Sequence, residues 1–151
     1  MNEYNPNKKE YDPRMHSAEH ILNQTMVRMF NCGRAFSAHI EKKKSKCDYH
    51  FDRDLTPGEI ATIEKMVNEV IARDLNITES LLSRGEAAAK FVLSRLPEDA
   101  GDTVRIITIG DYDACPCSGV HAKTTKEIGT FKLASTAFEN GVLRIRFKLE
   151  D

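Results

Sequence analysis

His16 and His20 near the start of the chain, and Cys117 and His121 near its end, are two pairs of side chains suited to the same cation. A fold that serves both pairs must bring an early helix against a late loop. On a helix, a spacing of four puts two imidazoles on one face about a turn apart, within reach of a common ion. Such a pair alone is more often incidental than metal-binding. The second pair, in Cys117-Ser118-Gly119-Val120-His121, falls where a loop between strands can aim both side chains. Together they form a tetrahedral set of one thiolate and three imidazoles, a set that suits zinc.

Two roles for such an ion stay open at this point. A structural staple would tie the early helix to the later β half, but staples are usually richer in thiolate. One thiolate with three neutral imidazoles leaves a net positive ion with residual Lewis acidity, which favours catalysis. Against that, four protein ligands close a tetrahedral site. Cys115 stands two residues before Cys117 and reads as an alternate ligand, a supporting group or a small buried residue. Glu19 invites comparison with the metallopeptidase helix H-E-x-x-H, but it adjoins the second histidine, not the first. That placement is expected to point it away from the metal and disfavours a peptidase.

The surrounding pattern is that of an α+β domain. Residues 1–12 form a polar tail, expected to be flexible, whose last residue, Asp12, caps a helix with Pro13 at its first position. That helix runs to Phe30. AFSAHIE and KCDYHFD form a hairpin about the turn KKKS, and Thr56-Pro57-Gly58-Glu59 is a capping box opening a helix over 57–75. Asn76 to Leu82 reads as a strand, and Ser83 to Glu86 caps a third helix that ends at or before Pro97. Then come the strand TVRIITI, the loop GDYDACPCSGVHAKTTK, the strand EIGTFKLAS, a turn at Asn140-Gly141 and the strand VLRIRFKLE. Leu143, Ile145, Phe147 and Leu149 alternate toward the core. Interspersed helices and hairpins predict a largely antiparallel (mixed) sheet packed with helices, in one domain over 13–151.

Composition narrows the function. With 151 residues the chain can bury a core without disulfides, and its four cysteines come without an apolar leader, which points to a reducing, cytoplasmic setting. There is no run long enough to span a membrane. A net charge of −1 excludes a global electrostatic grip on DNA or RNA, so any nucleic-acid contact must be local.

HSAEHIL, FDRDLTPGEIATIEKMVNEVI and VRIITIGDYDACPCSGVHAKTTKEIGTFKL resemble the editing domain shared by alanyl- and threonyl-tRNA synthetases, known as their second additional domain. In length the chain is similar to short AlaX-type trans-editing proteins. The resemblance covers roughly residues 14–150. It implies zinc held by His16, His20, Cys117 and His121, which act in catalysis through the metal, with Cys115 a possible alternate. It also implies ATP-independent hydrolysis of misacylated tRNA, in the service of translation fidelity. Ser-tRNA for alanine is the expected substrate; Ser-tRNA for threonine is the alternative within the family. Outside it stand a non-catalytic RNA-binding module with structural zinc and a metallohydrolase of small esters or amides. The chain departs from the synthetases' usual C-G-G-x-H at CSGVH, and has Cys115 where they usually carry an acidic residue.

Selecting serine over alanine calls for a site that hydrogen-bonds the extra hydroxyl. Ser37, His39 and Thr25 are the candidates. For tRNA phosphates the candidates are Lys42, Lys43, Lys44 and Lys46 in the hairpin turn, Lys123 and Lys126 beside the metal loop, and Arg144, Arg146 and Lys148 on the last strand.

Overall fold

In the computed structural model, residues 12–91 and 102–150 are described. Asp12 is extended and its carboxylate accepts from the Arg14 and Met15 amides, which starts α1 (Pro13–Phe30) with proline at the tolerated position. The helix stops at Asn31, whose left-handed backbone returns its N–H to the Val27 carbonyl. The hairpin β1 (Ser37–His39) and β2 (Ser45–His50) follows, then α2 (Pro57–Ala72) behind a complete capping box between Thr56 and Glu59. Helix α2 ends three residues earlier than its spacing predicts, because Asp74 turns left-handed (φ 53). Next are β3 (Ile77–Ser83) and a short α3 (Arg84–Lys90), which Phe91 ends by turning extended. The continuation of that helix expected after Phe91, like the tail before Asp12, lies outside the described residues.

The second half holds β4 (Thr103–Ile109), β5 (Asp113–Pro116), a 3₁₀ turn at Thr125–Ile128, β6 (Thr130–Glu139) and β7 (Val142–Glu150). β5 lies inside the stretch expected to be all loop. The strands form two sheets, both antiparallel: β1-β2-β7-β6 and β3-β4-β5. The architecture is the α+β arrangement that the sequence predicts, with the strands divided between two sheets.

One face of the four-stranded sheet carries Cys47, Tyr49, Leu143, Ile145 and Phe147, all fully buried with Ile21, Leu22 and Met26 of α1 and Ile63 and Val67 of α2. Leu149 is only partly buried, at the end of the same row. Helix α2 also closes the outer edge of β6. Asn68 exchanges two hydrogen bonds with the Phe131 backbone (2.8 and 2.9 Å), and Glu64 accepts from the Leu133 amide. A second tie fixes the end of α2. The buried Thr125 hydroxyl bonds the carbonyls of Val70 (3.0 Å) and Ile71 (3.2 Å) and accepts from the Leu75 amide. The segment Lys123-Thr124-Thr125-Lys126-Glu127-Ile128-Gly129 is thus a helix-end clamp as well as a flank of the loop that carries Cys117 and His121. Among the described residues, no helix is long and apolar enough to cross a membrane.

Candidate metal centre

The two distant pairs meet. One ligand atom from each of His16, His20, Cys117 and His121 lies within 4.8 Å of the other three. Helix α1 supplies the histidine pair from a stretch, Met15 to Asn23, that is buried on all sides. The loop after β5 supplies Cys117 and His121. Cys117 Sγ stands 3.3 Å from His16 Nε2 and 3.4 Å from His121 Nε2. Ligand bonds of about 2.1 and 2.3 Å around a tetrahedral ion give an N–S edge of about 3.6 Å, so these separations fit such an ion.

The far ring nitrogens fix which way each imidazole faces. His16 Nδ1 lies 3.0 Å from the Val120 carbonyl, an acceptor only, so Nδ1 carries the hydrogen and Nε2 presents its lone pair to the cluster. His121 Nδ1 lies 3.0 Å from Ser17 Oγ, which also takes the Ala122 amide. His20 Nδ1 is buried and, among the described residues, without a hydrogen-bond partner; Asp113 Oδ2 stands 3.7 Å away. Asp113 is held in turn by Arg34 (2.7 and 3.3 Å) and Gln24 (2.9 Å).

The loop is pinned from below. Arg105 of β4 donates one nitrogen to the carbonyls of Cys117 (3.1 Å) and Gly119 (2.7 Å), while its Nε pairs with Glu79 of β3. Gly119 packs directly on His16: a Cβ there would come 2.2 Å from Cε1 and 2.6 Å from Nδ1 of the ring. No larger residue fits without moving the ligand.

Electrostatics separate the two loop cysteines. Burial works to raise the Cys117 pKa, but the surrounding imidazoles of His121, His16 and His20 overcome it and bring it to about 2. Burial pushes the Cys115 thiol up, and Cys115 is not part of the quartet. Burial also lowers His121 to about 4, keeping its ring neutral. At His20 burial opposes the charged form, but Asp113, Cys117 and Glu19 together raise its pKa well above the usual value. For Asp113 burial raises the pKa, yet His20 and Arg34 bring it down to about 2. A ready thiolate with directed imidazoles is a donor set that could hold a metal ion.

Glu19 corrects the expectation drawn from the motif. Its Oε1 faces the cluster, 3.9 Å from His16 Nε2 and 3.8 Å from His20 Nε2. Glu19 is three residues past His16, and that spacing places it on the histidine face whatever the order of the peptidase motif.

The other candidates lie elsewhere. Thr25 is buried with its hydroxyl shared between the Ile21 carbonyl (2.8 Å) and Tyr112 Oη (2.6 Å). Ser37 and His39 are exposed and pair in register with Asp48 and Lys46, on the sheet face turned away from α1; Ala38, paired with Cys47, points inward. Lys42, Lys43, Lys44, Lys123 and Lys126 are exposed. Lys46 and Arg146 are partly exposed and sit opposite each other across β2 and β7. Arg144 is committed to Asp48 through a two-pronged ion pair of 2.7 and 2.9 Å.

Residues 104–146, from β4 through the Cys117 and His121 loop into β7, match the family model for the threonyl and alanyl tRNA synthetase second additional domain. The chain carries this domain. It is similar to an alanine–tRNA ligase of Fervidobacterium nodosum, 33% identical over 140 residues that make up 91% of this chain and 16% of that one. An alanine–tRNA ligase of Coxiella burnetii is 33% identical over 81% of the chain and 14% of its own length, and one from Pseudoalteromonas translucida 30% identical over 91% and 16%. The similarity thus reaches back from the additional domain's matched segment into α1, where His16 and His20 reside. The chain spans about one-sixth of the length of these relatives.

Proposed function

We propose that this chain hydrolyses the ester that joins a wrong amino acid to tRNA, with zinc held by His16, His20, Cys117 and His121. One observation carries the reading: within a synthetase additional domain, two motifs from opposite ends of the chain converge on one buried donor set. That the similar proteins are alanine–tRNA ligases supports tRNA for alanine as the nucleic acid and its serine ester as the substrate. Such a reaction belongs in the cytoplasm.

The ester is already activated, so orientation and modest electrostatic help suffice. A zinc ion in the quartet would supply Lewis acidity without redox chemistry. The protein's share is to hold the donors still. Val120 O and Ser17 Oγ keep the Nε2 atoms of His16 and His121 facing Cys117, and Arg105 holds the loop carbonyls. Cys117 and His121 are only partly buried, and Ser118 and Val120 beside them are exposed, so a substrate would approach from the loop side. For the tRNA backbone we propose Lys42, Lys43, Lys44, Lys46, Lys123, Lys126 and Arg146, giving affinity that falls with salt and ignores sequence.

The purified chain is expected to deacylate Ser-tRNA for alanine much faster than Ala-tRNA, and to lose this when the metal is stripped. Equal slow hydrolysis of the two, or full activity without metal, would sink the reading. The closure of the site by four protein side chains favours a second reading, an RNA-binding module with a structural ion. Loss of fold on metal removal, with no deacylation beforehand, would select it.

A further inference from the structure

The quartet has a charge problem that Glu19 is placed to solve. A divalent ion on one thiolate and three neutral imidazoles leaves one net positive charge in a buried site, and an uncompensated buried charge is costly. Two carboxylates lie close by. Asp113 is already neutralised by the two-pronged Arg34 contact. Glu19, only 6% exposed, has no lysine or arginine ion pair among the described residues; Arg34 feels its charge but directs its hydrogen bonds at Asp113.

Its placement is fixed. Glu19 Oε2 accepts from Asn23 Nδ2 at 2.6 Å. Asn23 cannot turn over, because its Oδ1 takes the Ala35 amide (2.9 Å) and the Tyr49 hydroxyl (2.8 Å), and the amide can only donate. The neutral Asn23 clamp orients Glu19 without cancelling its charge, and leaves Oε1 almost equidistant from the Nε2 atoms of His16 and His20.

We propose that Glu19 is a positioning residue for the metal: a fixed carboxylate across the His16–His20 edge that supplies the negative charge a one-thiolate donor set lacks. This rests on the metal reading given above. The second layer of a metal site typically changes affinity by about 10–100-fold, and that is the range expected here.

The test is a zinc titration against a competing chromophoric chelator, at a temperature where circular dichroism shows each protein folded. The unsubstituted chain should bind one zinc. Glu19→Gln, which keeps size and can still accept from Asn23, should bind at least ~10-fold more weakly. Glu19→Asp, which keeps the charge, should recover part of the loss. A purely structural Glu19 would shift the melting temperature of the metal-free protein and leave zinc affinity unchanged, and that result overturns the proposal. So does a Glu19→Asp protein that binds no better than Glu19→Gln. If the unsubstituted chain binds no zinc, the metal reading itself fails and takes this inference with it.

Discussion

Helices α1 and α2 both start on an extended capping residue followed by proline, and both run four to five turns, yet they are buried in opposite styles. α2 is one-sided: Ile63, Val67, Val70 and Ile71 are buried, and the rest of its surface is largely polar and wet. α1 is enclosed on every side from Met15 to Asn23, and the enclosed residues include His16, Ser17, Glu19, His20 and Asn23. Polar groups inside a packed core do nothing for apolar packing and must each be satisfied. Here His16, Ser17 and His20 face the loop carrying Cys117 and His121 or its supports, while Asn23 ties Glu19 to the Ala35 amide and the Tyr49 hydroxyl. α2 holds the domain together; α1 gives part of its interior to the candidate metal donors.

That contrast can be broken most severely at the ligands. Cys117→Ala and His16→Ala are each expected to abolish stoichiometric zinc binding and to cost deacylation of Ser-tRNA more than ~100-fold, on the general experience that removing a group acting as part of a unit forfeits most of the rate. Gly119→Ala should do nearly as much from outside the donor set, because its methyl would overlap the His16 ring. Zinc titration reads all three, and a Gly119→Ala protein with undiminished affinity would show that the loop is looser than its packing implies.

The reverse effect belongs to α2. Ile63→Ala empties a fully buried position and should cost about 2–5 kcal/mol of stability by denaturant melt, with zinc affinity of the folded protein unchanged. A large loss of affinity there would mean that the two helices are not separable in role. Thr56→Ala removes the capping hydroxyl of α2 and should cost about 1 kcal/mol.

The smallest effect is expected at the sheet face remote from both helices. Hydrogen bonding to Arg144, helped by its charge, holds the Asp48 carboxyl below the ordinary range although partial burial opposes it. A depressed native pKa means that this stabilisation is present above the unfolded carboxylate value, near ~3.9, and is lost as pH falls through the lower native one. Asp48→Asn should therefore lower stability by less than about 1 kcal/mol near neutrality and flatten the acid limb of the melting curve.

The same contrast explains what could be read from the residues in order. Repeating signals survive in one dimension: the caps of α1 and α2, the apolar spacing of α2, the alternation of β7 and the paired His-x-x-x-His and Cys-x-x-x-His motifs all matched the fold. β1 has only three residues, too few for alternation to fix which side faces inward, and a one-residue shift in parity separates the inward Ala38 from Ser37 and His39. β5 is short and ends in proline, a pattern indistinguishable from loop in one dimension. Ser17, Asp113, Arg105 and Gly119 support the quartet through contacts across the chain, which leave no periodic trace. Glu19 was legible in principle, since its spacing from His16 places it on the ligand face.

The side chains of Asn68 and Glu64 along β6 have one more consequence. A strand at the rim of a sheet exposes a row of amides and carbonyls that another polypeptide can adopt as its own neighbour. On this flank the neighbouring place is already taken by two side chains imitating a strand, each reaching from a helix that cannot extend the sheet further. The rim near Phe131 and Leu133 is closed to intruding strands, so crowding beside other chains carries little risk of being stitched into them there.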